Sequence, residues 1–249
     1  MNVLIKKFLK LRLIFLFPFF INGCIRTYYP AIYNSSAPPI IYETNNNLEL
    51  SSNYLGADYT ISQGSYENET LQLMRVNYIN AYTKDHTNFN LEGFGYIGNY
   101  KVSGLSLKYD GNKSFIGVGG DLKFNINFKF GKVKLGTGFN FGLGLECGEY
   151  YEFRKSAGNE NIIDDENSLI FLMFSGNPMI CYEFSESTIL SAQVNVGMPG
   201  LLSPSIVLNN ERFVYWITWF PNKNISDNNY GQRITFGIMI GLNNLDLKF

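Results

Sequence analysis

Two neighbouring stretches of this sequence alternate apolar and polar residues for about fifteen positions each. Ile116, Val118, Leu122, Phe124, Ile126, Phe128 and Phe130 occupy even positions, with Lys123, Asn125, Asn127 and Lys129 between them. After Gly131-Lys132 the apolar set moves to odd positions: Val133, Leu135, Phe139, Phe141, Leu143 and Leu145. Between these lie Lys134, Gly136, Gly138, Asn140, Gly142, Gly144 and Glu146. A period of two places each set on one face of a β-strand. A Gly-x link fits a type II′ turn, which keeps the two apolar faces aligned. Globular strands average about five or six residues. Long strands with one apolar face are instead what a chain needs to cross a membrane as a barrel.

The same pattern recurs along the chain. Strands are expected near 48–54, 57–62, 70–82, 89–98, 100–109, 114–130, 133–147, 168–175, 178–184, 188–198, 205–220 and 232–242. Turn signals such as Asp110-Gly111, Gly176-Asn177 and Ser185-Glu186-Ser187 separate many of them. The expected fold is all-β: an antiparallel up-and-down, outer-membrane-type β-barrel over 47–249 with about twelve strands, ten being the next count. The two longest polar links, 148–167 and 221–231, are four expected strands apart and so emerge on one face, with Gly131-Lys132 on the other. An even strand count brings both termini to one side, which suits a lipid in the periplasmic leaflet. The alternative is a lipid-tethered soluble β-sandwich or lipocalin-like binding module, whose apolar faces at 116–130 and 133–145 are buried in one core.

The amino-terminal stretch is of a different kind. Lys6, Lys7, Lys10 and Arg12 precede an apolar run from Leu13 to Ile21 that is about half the length needed to span a bilayer. This is the pattern of a secretory signal peptide. It runs into Ile21-Asn22-Gly23-Cys24, which resembles the lipobox of bacterial lipoproteins. The resemblance implies diacylglycerol transfer to Cys24, cleavage before it, and acylation, by palmitate for example, of the new amino terminus. Two or three acyl chains anchor far more firmly than one. Ile25 rather than Asp at the next position permits onward transport to the outer membrane, by analogy with lipoprotein sorting in enteric bacteria. Residues 1–23 are thus expected as leader and 24–46 as a tether, since Pro30, Pro38, Pro39 and Asn45-Asn46-Asn47 disfavour regular structure. About 22 extended residues reach roughly 70 Å.

Cys24, then Tyr28-Tyr29-Pro30, then a strand-rich domain is similar to lipoproteins of Bacteroidetes-type bacteria that carry a Tyr-x-Pro segment before a barrel. The terminal Leu245, Leu247 and Phe249 resemble the carboxy-terminal signal read by the outer-membrane assembly machinery, although the apolar phase shifts at Asn243-Asn244. Tyr215, Trp216, Trp219 and Phe220, at a strand end, resemble the aromatic girdle at a membrane–water boundary.

Little in the chain points to chemistry. Net charge is −1 and there is no basic run after the leader, which argues against a nucleic-acid partner. The single His86 lies in a polar link beside Asp85 without an identifiable nucleophile, so a barrel enzyme is disfavoured. One His and the separated Cys147 and Cys181 lack metal-ligand spacing, and whether those two thiols are bridged stays open. Glu160, Asp164, Asp165 and Glu166 lack the spacing of a calcium loop. No cofactor is expected. The expected partners are membrane lipid and the assembly machinery, and the expected role is structural or in small-solute passage.

Overall fold

The computed structural model describes residues 26–41, 50–84, 86–165, 169–185, 187–210, 212–220 and 232–242. The leader, Cys24, Asp85, Glu166 and Phe249 lie outside the described residues.

The chain forms β1 (Arg26–Tyr28), a 3-10 turn (Ala31–Asn34), β2 (Leu50–Gln63), β3 (Thr70–Lys84), β4 (Thr87–Val102), β5 (Gly111–Phe130) and β6 (Val133–Cys147). There follow α1 (Glu149–Asn159), β7 (Ile163–Asp165), β8 (Ile170–Gly176), β9 (Met179–Ser185), β10 (Thr188–Met198), β11 (Leu201–Asn210), β12 (Phe213–Phe220) and β13 (Arg233–Gly241). β2 pairs antiparallel with β3, β3 with β4, β4 with β5 and β5 with β6, and likewise β10 with β11, β11 with β12 and β12 with β13. β13 then pairs with β2, from Arg233 opposite Ser62 to Gly241 opposite Tyr54, and closes the sheet. The fold is a closed antiparallel barrel of ten strands.

Ten replaces the expected twelve for local reasons. Residues 48–54 and 57–62 belong to one strand that runs straight through Gly56. Residues 89–98 belong to β4, which continues to Val102, and the remainder of the expected 100–109 strand is a loop. β8 and β9 flank Asn177-Pro178 and act as one wall strand, because both pair with β6 and β10 in the same register. Pro178 has no N–H to give the ladder, which interrupts the strand without ending it. The expected 205–220 strand is instead two, folded at 211–212.

The wall is uneven in height. β2 to β6 run 14 to 20 residues, whereas β10 to β13 run 8 to 11. Crossing a bilayer takes about 9–11 residues, so the taller side rises beyond the apolar layer. One rim carries four two-residue links, at 85–86, 131–132, 186–187 and 211–212. The other rim carries the links 64–69, 103–110, 148–169, 199–200 and 221–232, with α1 and β7 inside the third.

The outer wall is apolar on every side. Ile116 is 50% exposed, Phe128 is 56% exposed, and Met74, Leu143, Ile206 and Phe236 likewise point outward. The inward positions of the same strands hold Asp58, Arg75, Asn77, Glu92, Lys123, Asn140, Gln193 and Thr235, all buried. A soluble barrel has the reverse arrangement. Apolar outside and polar inside is the distribution of a barrel whose wall meets lipid. The faces of 116–130 and 133–145 are therefore not the two sides of a shared core, which removes the soluble sandwich or cup.

Candidate functional site

The lumen is occupied by the chain's own amino-terminal segment. Residues 26–41, expected as part of a tether, run lengthwise through the barrel, and Tyr28, Ala31, Ile32 and the whole of 34–41 are buried there. Two differently built zones hold this strap.

At the long-loop rim it enters an aromatic collar. β1 pairs in parallel with β7 of the long loop, Tyr28 opposite Asp165. The Tyr28 ring meets Phe153 of α1 edge-on at 5.2 Å and lies 5.3 Å from Tyr66 and 6.2 Å from Tyr100. Edge-on and tilted pairs at these separations add attraction beyond area burial. Tyr100 stacks on Tyr150 at 4.6 Å. Glu69 sits beneath, accepting from the Tyr28 hydroxyl (2.5 Å), the Tyr100 hydroxyl (2.7 Å) and the backbone N–H of Tyr66 (3.2 Å). Arg26 stands 3.6 Å from the same carboxylate and donates to the Ser103 carbonyl at 2.7 Å. Burial raises the Glu69 carboxyl above its usual range, against the pull of these donors. Below, Glu146 accepts from the Ala31 N–H at 2.8 Å and pairs with Arg154 of α1 at 3.2 Å.

Deeper, the strap enters a polar sleeve. Here wall side chains bind its main chain. Arg75 donates to the Ser36 carbonyl at 2.8 Å while paired with Asp58 at 2.8 Å. Lys123, ion-paired with Glu92, donates to the Pro38 carbonyl at 3.3 Å. The Gln193 amide both accepts from the Ile40 N–H and donates to the Ile40 carbonyl, each at 2.9 Å. Asn88 donates to the Ile41 carbonyl at 2.5 Å. An extended segment without ladder partners leaves its backbone groups costly to bury. These wall side chains meet that need, and they also explain why a lumen inside an apolar wall carries so many charges. Gly200 is part of the fit: its φ is +84°, and a Cβ there would come within 2.6 Å of the Ser35 carbonyl oxygen.

The girdle candidates divide by strand alternation. Tyr215 and Trp219 (52% exposed) point outward toward opposite ends of β12, whereas Trp216 (4%) and Phe220 (3%) point into the lumen. The Trp216 ring lies across Gly237 on β13, where a Cβ would be 1.9 Å from it. Sequence reasoning missed the larger pattern at the short-turn rim. Tyr82, Phe89, Phe128, Phe130, Tyr182 and Phe184 join Tyr215 there as outward aromatics. The signal was available, since each occupies the outward phase within a few residues of a two-residue turn. Such a belt is where amphipathic rings settle at a membrane boundary.

The remaining candidates are dispersed. His86 lies in the short-rim turn, its ring 5.9 Å from Phe128. Cys147 is a free thiol exposed on the outer wall, and Cys181 a free thiol buried inside. Glu160 is ion-paired with Lys108, and Asp164 lies in β7 opposite Thr27. Among the described residues no three His, Cys, Asp or Glu side chains are grouped to hold a metal.

The fold thus defines a membrane-type barrel closed by its own strap. No family model matches the sequence, and no curated protein does. Several solved structures share the barrel shape. Neisserial surface protein A is 12% identical, over 77% of this chain and 99% of that one, at a TM-score of 0.35. An outer membrane channel from Pseudomonas putida F1 is 9% identical, over 83% and 100%, at 0.43. A mutant of the TodX monoaromatic hydrocarbon channel is 12% identical, over 87% and 72%, at 0.35. These values describe a coarse likeness of shape and transfer no activity.

Proposed function

We propose that this chain is an outer-membrane barrel, lipid-anchored through Cys24, whose role is structural: a sealed wall element that presents its long-loop rim, not an open diffusion pore. One observation carries this reading. Residues 26–41 fill the lumen with buried side chains, and the wall binds their carbonyls at several levels. A barrel of ten strands has little interior to spare beyond side chains. A strap through it removes the water-filled path a porin needs. The apolar wall and the aromatic belt near the short turns support the membrane setting, and Ile21-Asn22-Gly23-Cys24 supports the anchor.

The test is solute flux through proteoliposomes. The intact protein is expected to give no flux of small sugars above empty vesicles. A variant lacking residues 27–41 is expected to give flux while keeping heat-modifiable migration on gels. Flux through the intact protein would favour a second reading, small-solute passage, whose support is the polar lining left if the strap moves aside.

A further inference from the structure

The strap has a direction, and its direction decides where the amino terminus emerges. Its contacts step through the barrel in order. Arg26 touches Ser103 and Glu69, both in links of the long-loop rim. Ala31 meets Glu146, one residue before β6 ends at that rim. Ser36 reaches Arg75, Pro38 reaches Lys123, and Ile41 reaches Asn88, the second residue of β4, at the short-turn rim. β2 then begins at the short-turn rim. The first barrel strand and the amino-terminal end of the strap are therefore at opposite rims. Strand parity sets both ends of the barrel wall at one rim, whereas Arg26 lies at the other.

We infer that the chain delivers its own amino terminus through the barrel, so that the lipid proposed on Cys24 enters the membrane leaflet at the long-loop rim, the cell-surface side. The lipid part rests on the function proposed above; the threading rests on the contacts alone. Two arguments fix the leaflet. Cys24 is two residues from Arg26, and two residues span at most about 7 Å, whereas the apolar band of such a barrel is about 25 Å tall. Acyl chains on Cys24 cannot reach the opposite leaflet. Barrels of this class keep short turns in the periplasm and long loops outside, and four of the two-residue links share the rim away from Arg26. The anchor and the barrel are then successive fastenings of one path: lipid at the surface, collar, sleeve, and return to the wall from the periplasmic side.

The experiment places one short epitope at a time in the full-length protein. The sites are between Ile25 and Arg26, at Leu107 in the 103–110 loop, in the Gly131-Lys132 turn, and between Ile41 and Leu50. Antibody binding is read on intact and on outer-membrane-permeabilised cells, with heat-modifiable migration confirming that each variant is folded and radiolabelled palmitate reporting acylation. The Ile25–Arg26 and Leu107 epitopes are expected to bind on intact cells. The other two should bind only after permeabilisation. Palmitate label should be lost in Cys24→Ser. If the Ile25–Arg26 epitope is protected along with the turn, the threaded exit is overturned whether or not palmitate is found. If it groups with Leu107 but both are protected, the surface assignment is overturned. Absent palmitate label with an exposed Ile25–Arg26 epitope overturns the lipid and upholds the threading.

Discussion

The collar and the sleeve hold the same strap with a different balance of side-chain and main-chain contacts. In the collar the wall and the long loops recognise side chains: Tyr28 is enclosed by Tyr66, Tyr100 and Phe153, and its hydroxyl is bound by Glu69. In the sleeve the wall recognises backbone: Arg75, Lys123, Gln193 and Asn88 all donate to carbonyls of the strap. The difference follows from where each zone sits. The collar rises on the tall side of the wall, where loops and α1 supply enough apolar surface to pack a ring. The sleeve lies within the span of the barrel, where many inward positions, Asp58, Arg75, Glu92, Lys123 and Gln193 among them, are polar. Around Ser36 and Pro38 such a wall fastens the extended chain by its main-chain groups, and only towards the short-turn rim does it also bury side chains, Ile40 against Met179, Cys181 and Ile189 and Ile41 against Tyr54, Ile79, Val207 and Trp216. Recognition of ring side chains is thus concentrated at the long-loop rim.

The comparison breaks first at Tyr28. Tyr28→Ala empties a fully buried ring site and strips Glu69 of one of its donors. The expected loss is about 3–5 kcal/mol, the range for truncating a buried aromatic. Read as a lowered temperature for loss of the gel shift in detergent, it should come with solute flux, since the outer end of the strap loses its most enclosed side chain. A loss below about 1 kcal/mol would mean the collar is not the principal lock. The sleeve's counterpart is smaller. Gln193→Leu preserves bulk but leaves both the N–H and the carbonyl of Ile40 without their partner. Each unsatisfied buried group costs about 1–3 kcal/mol, partly offset because the buried Gln193 amide is itself removed, so a net fall of about 2–4 kcal/mol is expected in the same assay. Gln193→Glu, which can accept from the N–H but not donate to the carbonyl, should fall at least as far.

How much of this was legible in the sequence differs between wall and strap for the same physical reason. Alternation reports which residues face opposite environments, so the barrel class and its lipid-facing outside could be read from Ile116 to Leu145. It does not report continuity, and Gly56 and Asn177-Pro178, which look like breaks, are crossed by the neighbouring ladders. The strap was opaque because an extended segment satisfied by distant side chains has no period of its own. Pro30, Pro38 and Pro39 read equally well as a solvated tether. A hint was present in the pairing of two facts: Ile32, Ala37, Ile40 and Ile41 are unusually apolar for a free tether, and Asp58, Arg75, Glu92 and Lys123 fall on inward phases. Charges there need partners, and the strap's carbonyls are some of them.

A third test sharpens the comparison through pH. The collar depends on loop 103–110, whose Tyr109 packs against Phe153. Asp110 organises that loop by accepting from the backbone N–H groups of Leu105 (2.9 Å), Gly104 (3.0 Å) and Ser106 (3.1 Å). These donors hold its carboxyl below the usual aspartate range. For a depressed acid the stabilisation is complete above the unfolded value and is lost as pH falls through the folded one. Pepsin cleavage within 103–110 should therefore rise only below the ordinary aspartate range. In Asp110→Asn it should be fast and independent of pH beyond the protease's own profile. The sleeve lies beyond this loop and should stay protected throughout, and cleavage of 34–41 at the same pH would show that the two zones are not separable.

The smallest expected effect is the most diagnostic of the sleeve. Ser36 lies buried in the strap, Arg75 binds its carbonyl, and its own hydroxyl has no hydrogen-bond partner. If the wall reads only backbone there, Ser36→Ala removes an unsatisfied buried hydroxyl and leaves every sleeve contact in place. Stability should stay within about 0.5 kcal/mol or rise by up to about 1–2 kcal/mol, because burying an unpaired hydroxyl is unfavourable. Solute flux should stay at the level of empty vesicles. A clear loss of stability would show that the Ser36 side chain is itself recognised, and the division between a side-chain collar and a main-chain sleeve would then have to be redrawn further into the barrel.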